Sequence, residues 1–435
     1  MRVAIVDATA SYKALLDYLQ SNGLISELIS MRDEHDMREC DIVLTSSAEW
    51  NCRSAILIAR AKRSGLPTLH IVDGLLKWGT AWSYMETNIK SNLPEFSGLP
   101  QYQPVLSHKI GCLGPAQARI LSSWGQFHKV EVTGNPRMDA YVDYRLKSLN
   151  RLGINQSAKR KPARLLILVA NKPAYTESGM ERARKAYLDL NEFLKQAVEN
   201  YNLSITWRGG PRSPDVMPLE MVGSIDEGKC SLFQALENAD FVISSPSTAV
   251  LEAMSMEIPA CILDYSGSPE LLHAAWVIRS KEFIADELES LFTTDVRRMQ
   301  LQRYLVHDQI RVDSSSSARI SQLMLDMISI AERSRSAGIN LAFPASMVAG
   351  HDYSSQTPYH YAPERLFESY PLFSLSELAD LNRELADLHR YCSLLEHRVE
   401  VHSRLYPFGL AIKSRLKLAW SSLLHSHRIP RRESK

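Results

Sequence analysis

The chain has 435 residues, a formal net charge of +1, 45% hydrophobic residues and 23% charged residues. Its length exceeds what one ordinary hydrophobic core accommodates and fits two domains with additional segments. The composition is typical of a soluble globular protein. Six cysteines without a CxxC spacing indicate free thiols in a reducing compartment. No apolar run reaches about 18 residues, and a strand that starts at Arg2 leaves no room for a signal peptide, so we expect a cytoplasmic protein.

Strand-like apolar runs alternate with amphipathic helical patterns through residues 1–145. This alternation predicts a parallel, doubly wound sheet in an N-terminal Rossmann-like domain. The helical patterns cover Tyr12–Ser21 and Ser54–Ser64. The predicted strands are Val3–Val6, Asp41–Thr45, Thr68–Val72, Lys109–Leu113 and Lys129–Val132.

The basic and polar residues 146–163 are predicted to form a linker. A second strand–helix series then predicts a C-terminal Rossmann-like domain of residues 164–333. Its strands are predicted at Arg164–Ala170, Leu203–Trp207, Phe241–Ser244 and Ala260–Asp264, and its helices at Met180–Tyr201, Cys230–Ala239 and Thr248–Met256. Two such halves place a functional cleft between them, at the carboxyl ends of the strands.

The remainder of the chain is predicted to form three segments. Residues 334–374 are expected to be an irregular extension rich in Tyr, Pro, His and Ser. Residues 375–405 carry a heptad pattern from Leu378 to His402 that favours a coiled coil and a homo-oligomer, the alternative being a helix packed on its own domain. Residues 406–435 interleave Leu and Trp with Lys and Arg, which suits a helix on an anionic membrane surface. A solvated tail or a nucleic-acid-binding tail is the alternative, but no nucleic-acid motif accompanies it.

The first candidate for chemistry is Asp73, which precedes Gly74 at the end of a predicted strand. A carboxylate at a strand's carboxyl end projects into the predicted cleft and could act as the general base that deprotonates an acceptor hydroxyl. Asp-Gly is also a common turn pair. His70 and Asp139 are the next candidates for the base.

The second candidate follows strand Lys129–Val132 and consists of Gly134, Asn135 and Arg137. This turn is predicted to lie beside the cleft at the end of the first domain. Arg137 could contact a phosphate, or it could simply cap the turn.

The third candidate follows strand Leu203–Trp207. Arginine recognises phosphate or carboxylate with two parallel hydrogen bonds, and consecutive glycines let the backbone approach a ligand. A Gly-Pro turn with two solvated arginines is the alternative. The candidate donor-binding residues here are Arg208, Gly209, Gly210 and Arg212.

The fourth candidate is a Ser/Pro turn between strand Phe241–Ser244 and a short helix. Hydroxyls and backbone amides at a helix N-terminus form a ready phosphate site, and a carboxylate one turn further on can accept hydrogen bonds from sugar hydroxyls. An ordinary capped strand–helix unit is the alternative. The candidate donor-binding residues are Ser244, Ser245, Ser247, Thr248 and Glu252.

These motifs resemble those of the GT-B glycosyltransferase superfamily over roughly residues 1–330. The turn ending in Glu252 resembles the GT-B donor-nucleotide loop, and the Gly134 turn resembles one found in cell-surface GT-B enzymes and UDP-GlcNAc 2-epimerases. Asp73-Gly74, Gly210-Pro211 and Ser244–Thr248 follow the order of the acidic, His-Pro and Ser-rich motifs of bacterial sialyltransferases and some Kdo transferases. CDP-glycerol transferases also have His-Pro at the second motif.

Two departures from these patterns limit what the resemblance implies. Ser244 stands where the commonest retaining GT-B enzymes have a second glutamate, so that pair is absent. Gly210 replaces the histidine of the His-Pro motif, so a histidine role in nucleotide binding does not carry over.

The resemblance implies a glycosyltransferase that transfers a sugar from a nucleotide-sugar donor, with CMP-linked sugars among the candidates, to a cell-surface glycan or glycolipid. It implies no cofactor and no metal ion, since helix dipole, hydroxyls and arginine can hold the phosphates. The alternatives are a UDP-GlcNAc 2-epimerase-like enzyme and a degenerate GT-B scaffold that acts through its coiled coil. The expected location is the inner face of the cell membrane.

Overall fold

The structure is a computed structural model. It describes residues 1–6, 12–30, 39–45, 52–76, 102, 105–122, 127–149, 162–170, 177–210, 213–226, 228, 230–265, 272–348, 394 and 397. Most of the predicted coiled coil (375–405) and the whole predicted tail (406–435) therefore lie outside the described residues, as does part of the linker, and these stay predictions.

The described elements of the first half are strands and helices in alternation. The strands are β1 Arg2–Ile5, β2 Glu27–Ser30, β3 Ile42–Thr45, β4 Thr68–Ile71, β5 Lys109–Cys112 and β6 Val130–Val132. The helices are α1 Lys13–Ser21, α2 Cys52–Arg63, α3 Pro115–Leu121 and α4 Pro136–Leu149. The strands pair in parallel in the order β2-β1-β3-β4-β5-β6.

The second half repeats this plan. Its strands are β7 Ala163–Val169, β8 Leu203–Gly209, β9 Ser224–Asp226, β10 Phe241–Ser244, β11 Ala260–Leu263 and β12 Trp276–Ile278. Its helices are α5 Glu177–Tyr201, α6 Leu232–Glu237, α7 Thr248–Ser255, α8 Ile284–Phe292 and α9 Val296–Gln309, and a last helix, α10, spans Ser316–Ser336. The strands pair in parallel in the order β12-β11-β10-β7-β8-β9.

The two strand orders confirm the predicted fold class, an α/β protein with two Rossmann-like halves. In each sheet the order reverses at one point, between β1 and β3 in the first and between β7 and β10 in the second. Ligands of open α/β sheets bind outside the carboxyl ends of the strands at such a reversal. The second reversal is the place where the Ser/Pro turn after β10 begins.

Helix α10 returns to the first half and packs on its sheet. Ile320, Leu323, Met324 and Met327 are buried in one cluster with side chains of β1, β3, β4 and α1. Their spacing of i, i+3, i+4 and i+7 gives one apolar face, and burial of each such side chain is worth roughly 1.5–3 kcal/mol. This helix therefore ties the end of the second half to the first.

Polar contacts fasten the crossing that precedes α10. Asp139 of α4 accepts hydrogen bonds from the hydroxyl and the amide of Ser316 at 2.6 and 3.1 Å, so a side chain of the first half caps this helix. Arg119 pairs with Asp308 at 2.6 Å. Gly114 lies so close to the crossing that an added Cβ would lie 2.5 Å from the Gln309 carbonyl.

A buried ion pair holds the segment after α10 against the first sheet. The Lys109 ammonium lies 2.6 Å from Glu131, and both side chains are almost inaccessible. Lys109 also donates to the carbonyl of Pro344, and Glu131 accepts from the amides of Met347 and Val348. Both charges are thus compensated by the chain segment that they anchor.

Candidate functional site

The Ser/Pro turn after β10 is held in place by its own buried serines. The Ser244 hydroxyl donates to the Ser245 carbonyl at 2.8 Å, and the Ser245 hydroxyl accepts from the amide of Ala170, the residue after β7, at 3.1 Å. The Ser245 amide donates to the Tyr187 hydroxyl at 3.1 Å. The hydrogen bonds of Ser244 and Ser245 thus fix the conformation of the turn and join it to the end of β7, the neighbouring strand.

Ser247 and Thr248 lie on the more open side of this turn, where both are half-buried. Ser247 has an extended backbone (φ −158°, ψ 162°) and caps α7 without a side-chain hydrogen bond to it. The first amides of a helix have no partner inside the helix and carry its positive dipole end. The two hydroxyls and these amides together can receive a phosphate group.

Glu252 lies one turn further along α7 and is only 3% exposed. Its Oε1 pairs with Arg137 of the first half at 3.1 Å, while its Oε2 is buried and accepts no hydrogen bond from the described residues. Burial raises the pKa of Glu252, against the opposing effects of Arg137 and the Tyr141 hydroxyl. A hydroxyl that donated to Oε2 would satisfy this oxygen and favour its charged form.

Asp73 lies in the loop after β4, on the side of the cleft that belongs to the first half. Two side chains hold this loop by its backbone: Asn135 donates to the Val72 carbonyl and Gln117 donates to the Gly74 carbonyl, each at 2.8 Å. The half-buried carboxylate of Asp73 makes no hydrogen bond or ion pair with any described residue. The loop thus presents a carboxylate from a fixed backbone.

Gly74 brings this loop into contact with the turn of the second half. A Cβ on Gly74 would lie 2.7 Å from Thr248 Oγ1, closer than such atoms pack. Two motifs that lie far apart in the sequence, Asp73-Gly74 and Ser244–Thr248, therefore meet across the cleft.

The Gly134 turn connects the same elements. Gly134 has a φ of +75°, and an added Cβ would lie 2.3 Å from Ser316 Oγ. The side-chain oxygen of Asn135, Oδ1, accepts from the Arg137 amide at 2.8 Å and so caps α4. This cap starts the helix that carries Arg137 to Glu252. The place of the turn beside a ligand-binding cleft stays a prediction.

Arg208, at the end of β8, is engaged within the second half. Its guanidinium pairs with Asp226 at 2.6 Å and donates to the Cys230 carbonyl at 2.9 Å. Gly209 has no room for a side chain, because an added Cβ would lie 2.0 Å from Ser213 Oγ. Arg212 lies outside the described residues. The roles of Arg208, Gly209, Gly210 and Arg212 in donor binding stay predictions.

The two other candidates for the base have structural partners instead. His70 is fully buried, with its Nδ1 3.1 Å from the Thr45 hydroxyl. Asp139 caps α10 through Ser316. Of these three side chains, Asp73 is therefore the one that has no hydrogen bond or ion pair with a described residue.

Tyr141 is a site residue that the sequence reasoning missed. It lies one turn after Arg137 on α4, and its hydroxyl is close enough to Glu252 that each affects the other's pKa. Burial, followed by the Glu252 charge, raises the pKa of Tyr141. The spacing of Arg137 and Tyr141 by four residues on a helix was the available signal.

The described residues contain no group of three or more His, Cys, Asp or Glu side chains that could hold a metal ion. Among the helices that the structure describes, none is long and apolar enough to cross a membrane.

No protein-family model and no curated protein matches the chain. Solved structures that it resembles include S. aureus MnaA with UDP, at 13% identity, with 79% of this chain and 99% of that chain covered and a TM-score of 0.48. Neisseria meningitidis UDP-GlcNAc 2-epimerase bound to UDP-GlcNAc is 16% identical, with 75% of this chain and 100% of that chain covered and a TM-score of 0.47. A variant of the wall teichoic acid polymerase TagF is 11% identical, with 76% of this chain and 89% of that chain covered and a TM-score of 0.49. The assignment of the fold rests on the strand orders above.

Proposed function

We propose that this protein is a GT-B glycosyltransferase that binds a nucleotide sugar in the cleft between its halves. The observation that supports this most is the contact of Gly74 with Thr248. It sets a loop with an accessible carboxylate against a helix N-terminus that suits a phosphate group.

In this proposal the second half holds the donor. The α7 amides with Ser247 and Thr248 bind the phosphate, and the carboxylate of Glu252 accepts a hydrogen bond from a ribose hydroxyl. Arg137 orients Glu252 and favours its ionised form, in opposition to the burial that raises the pKa of this carboxyl group. Phosphate charge is met by amides, hydroxyls and arginine, so the proposal assigns no step to a metal ion.

Asp73 of the first half is the proposed general base. It would take the proton from the acceptor hydroxyl as the acceptor oxygen bonds to the sugar carbon and the bond between that carbon and the phosphate oxygen breaks. The helix N-terminus would stabilise the negative charge left on the phosphate. A CMP-linked sugar is the donor that the order of the motifs favours.

The proposed acceptor is a cell-surface glycan or a glycolipid, reached from the inner face of the cell membrane. The interleaved basic and apolar residues of 406–435 support this location, and the heptads of 375–405 support a homo-oligomer. Nucleic acid is not among the proposed partners.

A binding screen tests the proposal. Thermal-shift assays with CMP, CDP, UDP and GDP, and with their sugar conjugates, should give a rise in melting temperature for one nucleotide, because a ligand of the native state stabilises it. Chromatography of the sugar products then separates the alternatives. Transfer to an acceptor supports the proposal, epimerisation of a UDP-sugar identifies an epimerase, and binding of no nucleotide at all indicates a scaffold.

A further inference from the structure

A second cavity opens on the first half, at the edge of the sheet opposite the cleft. We call it the basal pocket; it has a volume of about 620 Å³, and it lies between the end of α2, His108, the end of α10 and residues 339–341. Arg63 and His108 come just before β4 and β5, whereas Asp73 comes just after β4. The strand between them makes this pocket separate from the cleft.

Positive charge dominates the walls of the basal pocket. Lys62, Arg63 and Arg335 line it, and among the described residues no aspartate or glutamate does. Lys62 is fixed at the wall by a hydrogen bond of 3.0 Å to the Leu106 carbonyl. The Arg335 side chain is exposed and makes no hydrogen bond or ion pair with a described residue.

The helix dipoles offset only part of the positive charge of these side chains. Helices α2 and α10 both end at the pocket, and each helix C-terminus carries roughly half a negative charge. Their last carbonyls also accept backbone hydrogen bonds, from Gly65 to Lys62 at 3.0 Å and from Gly338 to Arg335 at 3.2 Å. Three cationic side chains line the pocket, whereas the negative ends of these two helices carry only partial charges.

His108 adds a neutral donor to the wall. Its Nδ1 accepts from the Thr68 amide at 3.2 Å and lies 3.0 Å from the Thr68 hydroxyl, so in the neutral ring the proton is on Nε2. Burial and the nearby lysines lower the pKa of His108 to about 3, which keeps the ring neutral. The ring packs edge-to-face against Phe343 at 5.2 Å.

The remaining walls are apolar. Ala59, Leu106 and Leu341 are among the lining residues, and the anchoring of Pro344 by Lys109 holds the adjoining segment in place. A volume of this size suits a small organic ligand. The three cationic side chains on its wall suit the phosphoryl group of a phosphate monoester, which carries nearly two negative charges at neutral pH.

We propose that the basal pocket is a second binding site, for a phosphate monoester whose phosphoryl group lies among Lys62, Arg63 and Arg335 and whose organic part lies on the apolar wall. The phosphate could belong to a free metabolite or to a lipid headgroup. The inference does not depend on the proposed glycosyltransferase activity.

Calorimetric titration of the full chain with inorganic phosphate and with phenyl phosphate tests this site. Both should bind, phenyl phosphate more tightly, and Arg335→Gln should weaken both about tenfold or more, as expected for loss of a hydrogen bond between charged groups. Arg333→Gln is the matched control, since Arg333 is an exposed arginine on the last turn of the same helix but not in the pocket.

Two further arms identify the source and separate this site from the cleft. If the phosphate is a lipid headgroup, the protein should bind vesicles that contain phosphatidic acid but not vesicles of phosphatidylcholine alone, and Arg335→Gln should weaken this binding. If it belongs to a soluble metabolite, the protein should bind the soluble esters and neither kind of vesicle. Nucleotide binding in the cleft should be equal in Arg335→Gln and the unaltered chain. Absence of saturable phosphate binding at millimolar concentration, or equal weakening by Arg335→Gln and Arg333→Gln, would overturn the proposal.

Discussion

Gly74 of the first half and Thr248 of the second half lie against each other, with no room between them for a Cβ atom. Near this contact, Arg137 and Glu252 pair across the same cleft at 3.1 Å. Two independent contacts between the halves thus bring Asp73 and the N-terminus of α7 to one place. The predictions below test what that place does.

Replacement of Asp73 by asparagine should remove the general base while keeping the shape of the side chain. Turnover should fall by about 10²–10⁴-fold, with unchanged affinity for the donor nucleotide, because Asp73 is on the half opposite the proposed donor site. Steady-state kinetics measures the turnover, and calorimetry measures the affinity for the nucleotide. Asp17→Asn, which alters an exposed carboxylate paired with Lys13 on α1, is the control. Near-normal turnover in Asp73→Asn would assign the base elsewhere.

Replacement of Gly134 by alanine should destabilise the contact of the first half with α10. The left-handed backbone alone costs about 1–2 kcal/mol for a residue with a Cβ, and the clash with Ser316 adds about 1–3 kcal/mol. Gly65→Ala is the matched control, because Gly65 has a φ of +71° and nothing within 4 Å of an added Cβ. Urea denaturation should show the larger loss for Gly134→Ala. Equal losses would mean that the structure relaxes around the new side chain.

His108 should make stability depend on pH. Its pKa is lowered to about 3 from an ordinary 6.5, so between these values the unfolded chain binds a proton that the folded chain does not. The free energy of unfolding should therefore fall as the pH falls through this window, by at most about 1.4 kcal/mol per pH unit. His108→Asn retains an acceptor for the Thr68 amide and should flatten this dependence. Urea denaturation at pH 7 and pH 5 measures it, and parallel losses in both proteins would contradict the assignment.

The segments after Tyr370 should serve attachment rather than chemistry. Each Lys or Arg near an anionic membrane contributes about 1 kcal/mol, so the tail should give firm attachment that weakens with salt. A chain that ends near Tyr370 should still bind nucleotide, form smaller particles in solution and fail to float with anionic liposomes. Equal flotation of the two chains, or no flotation of the full chain at low salt, would exclude this membrane role.

Much of the fold follows from local patterns in the sequence. Apolar runs such as Phe241–Ser244 are flanked by turns and end within a residue or two of the observed strands, because a strand buried on both faces needs an uninterrupted apolar run. Short strands such as Ser224–Asp226 escaped prediction. This strand is largely exposed, so it shows no apolar pattern.

The partners of the site residues were less predictable. The sequence predicts a turn at Asn135, but its hydrogen bond to the Val72 carbonyl depends on the order of β4, β5 and β6 in the folded sheet. The apolar face of α10 is visible in the sequence, yet a periodic pattern does not reveal which half the helix covers. The donor-binding role of Arg208 stays a prediction, and the sequence does not reveal that its observed partner is Asp226, eighteen residues later in the chain.

The pairing of Glu252 with a donor ribose is the central claim, and calorimetric titration tests it most directly. The nucleotide selected by the thermal-shift screen would be titrated into the unaltered chain, Glu252→Ala and Glu287→Ala. Glu287 is the matched control, since it is also a buried helical glutamate paired with an arginine, Arg298, but it is buried against the other side of the second half. We predict that Glu252→Ala weakens binding by about 1.5–3 kcal/mol while Glu287→Ala leaves the affinity unchanged. Equal affinity for all three folded proteins would contradict the account.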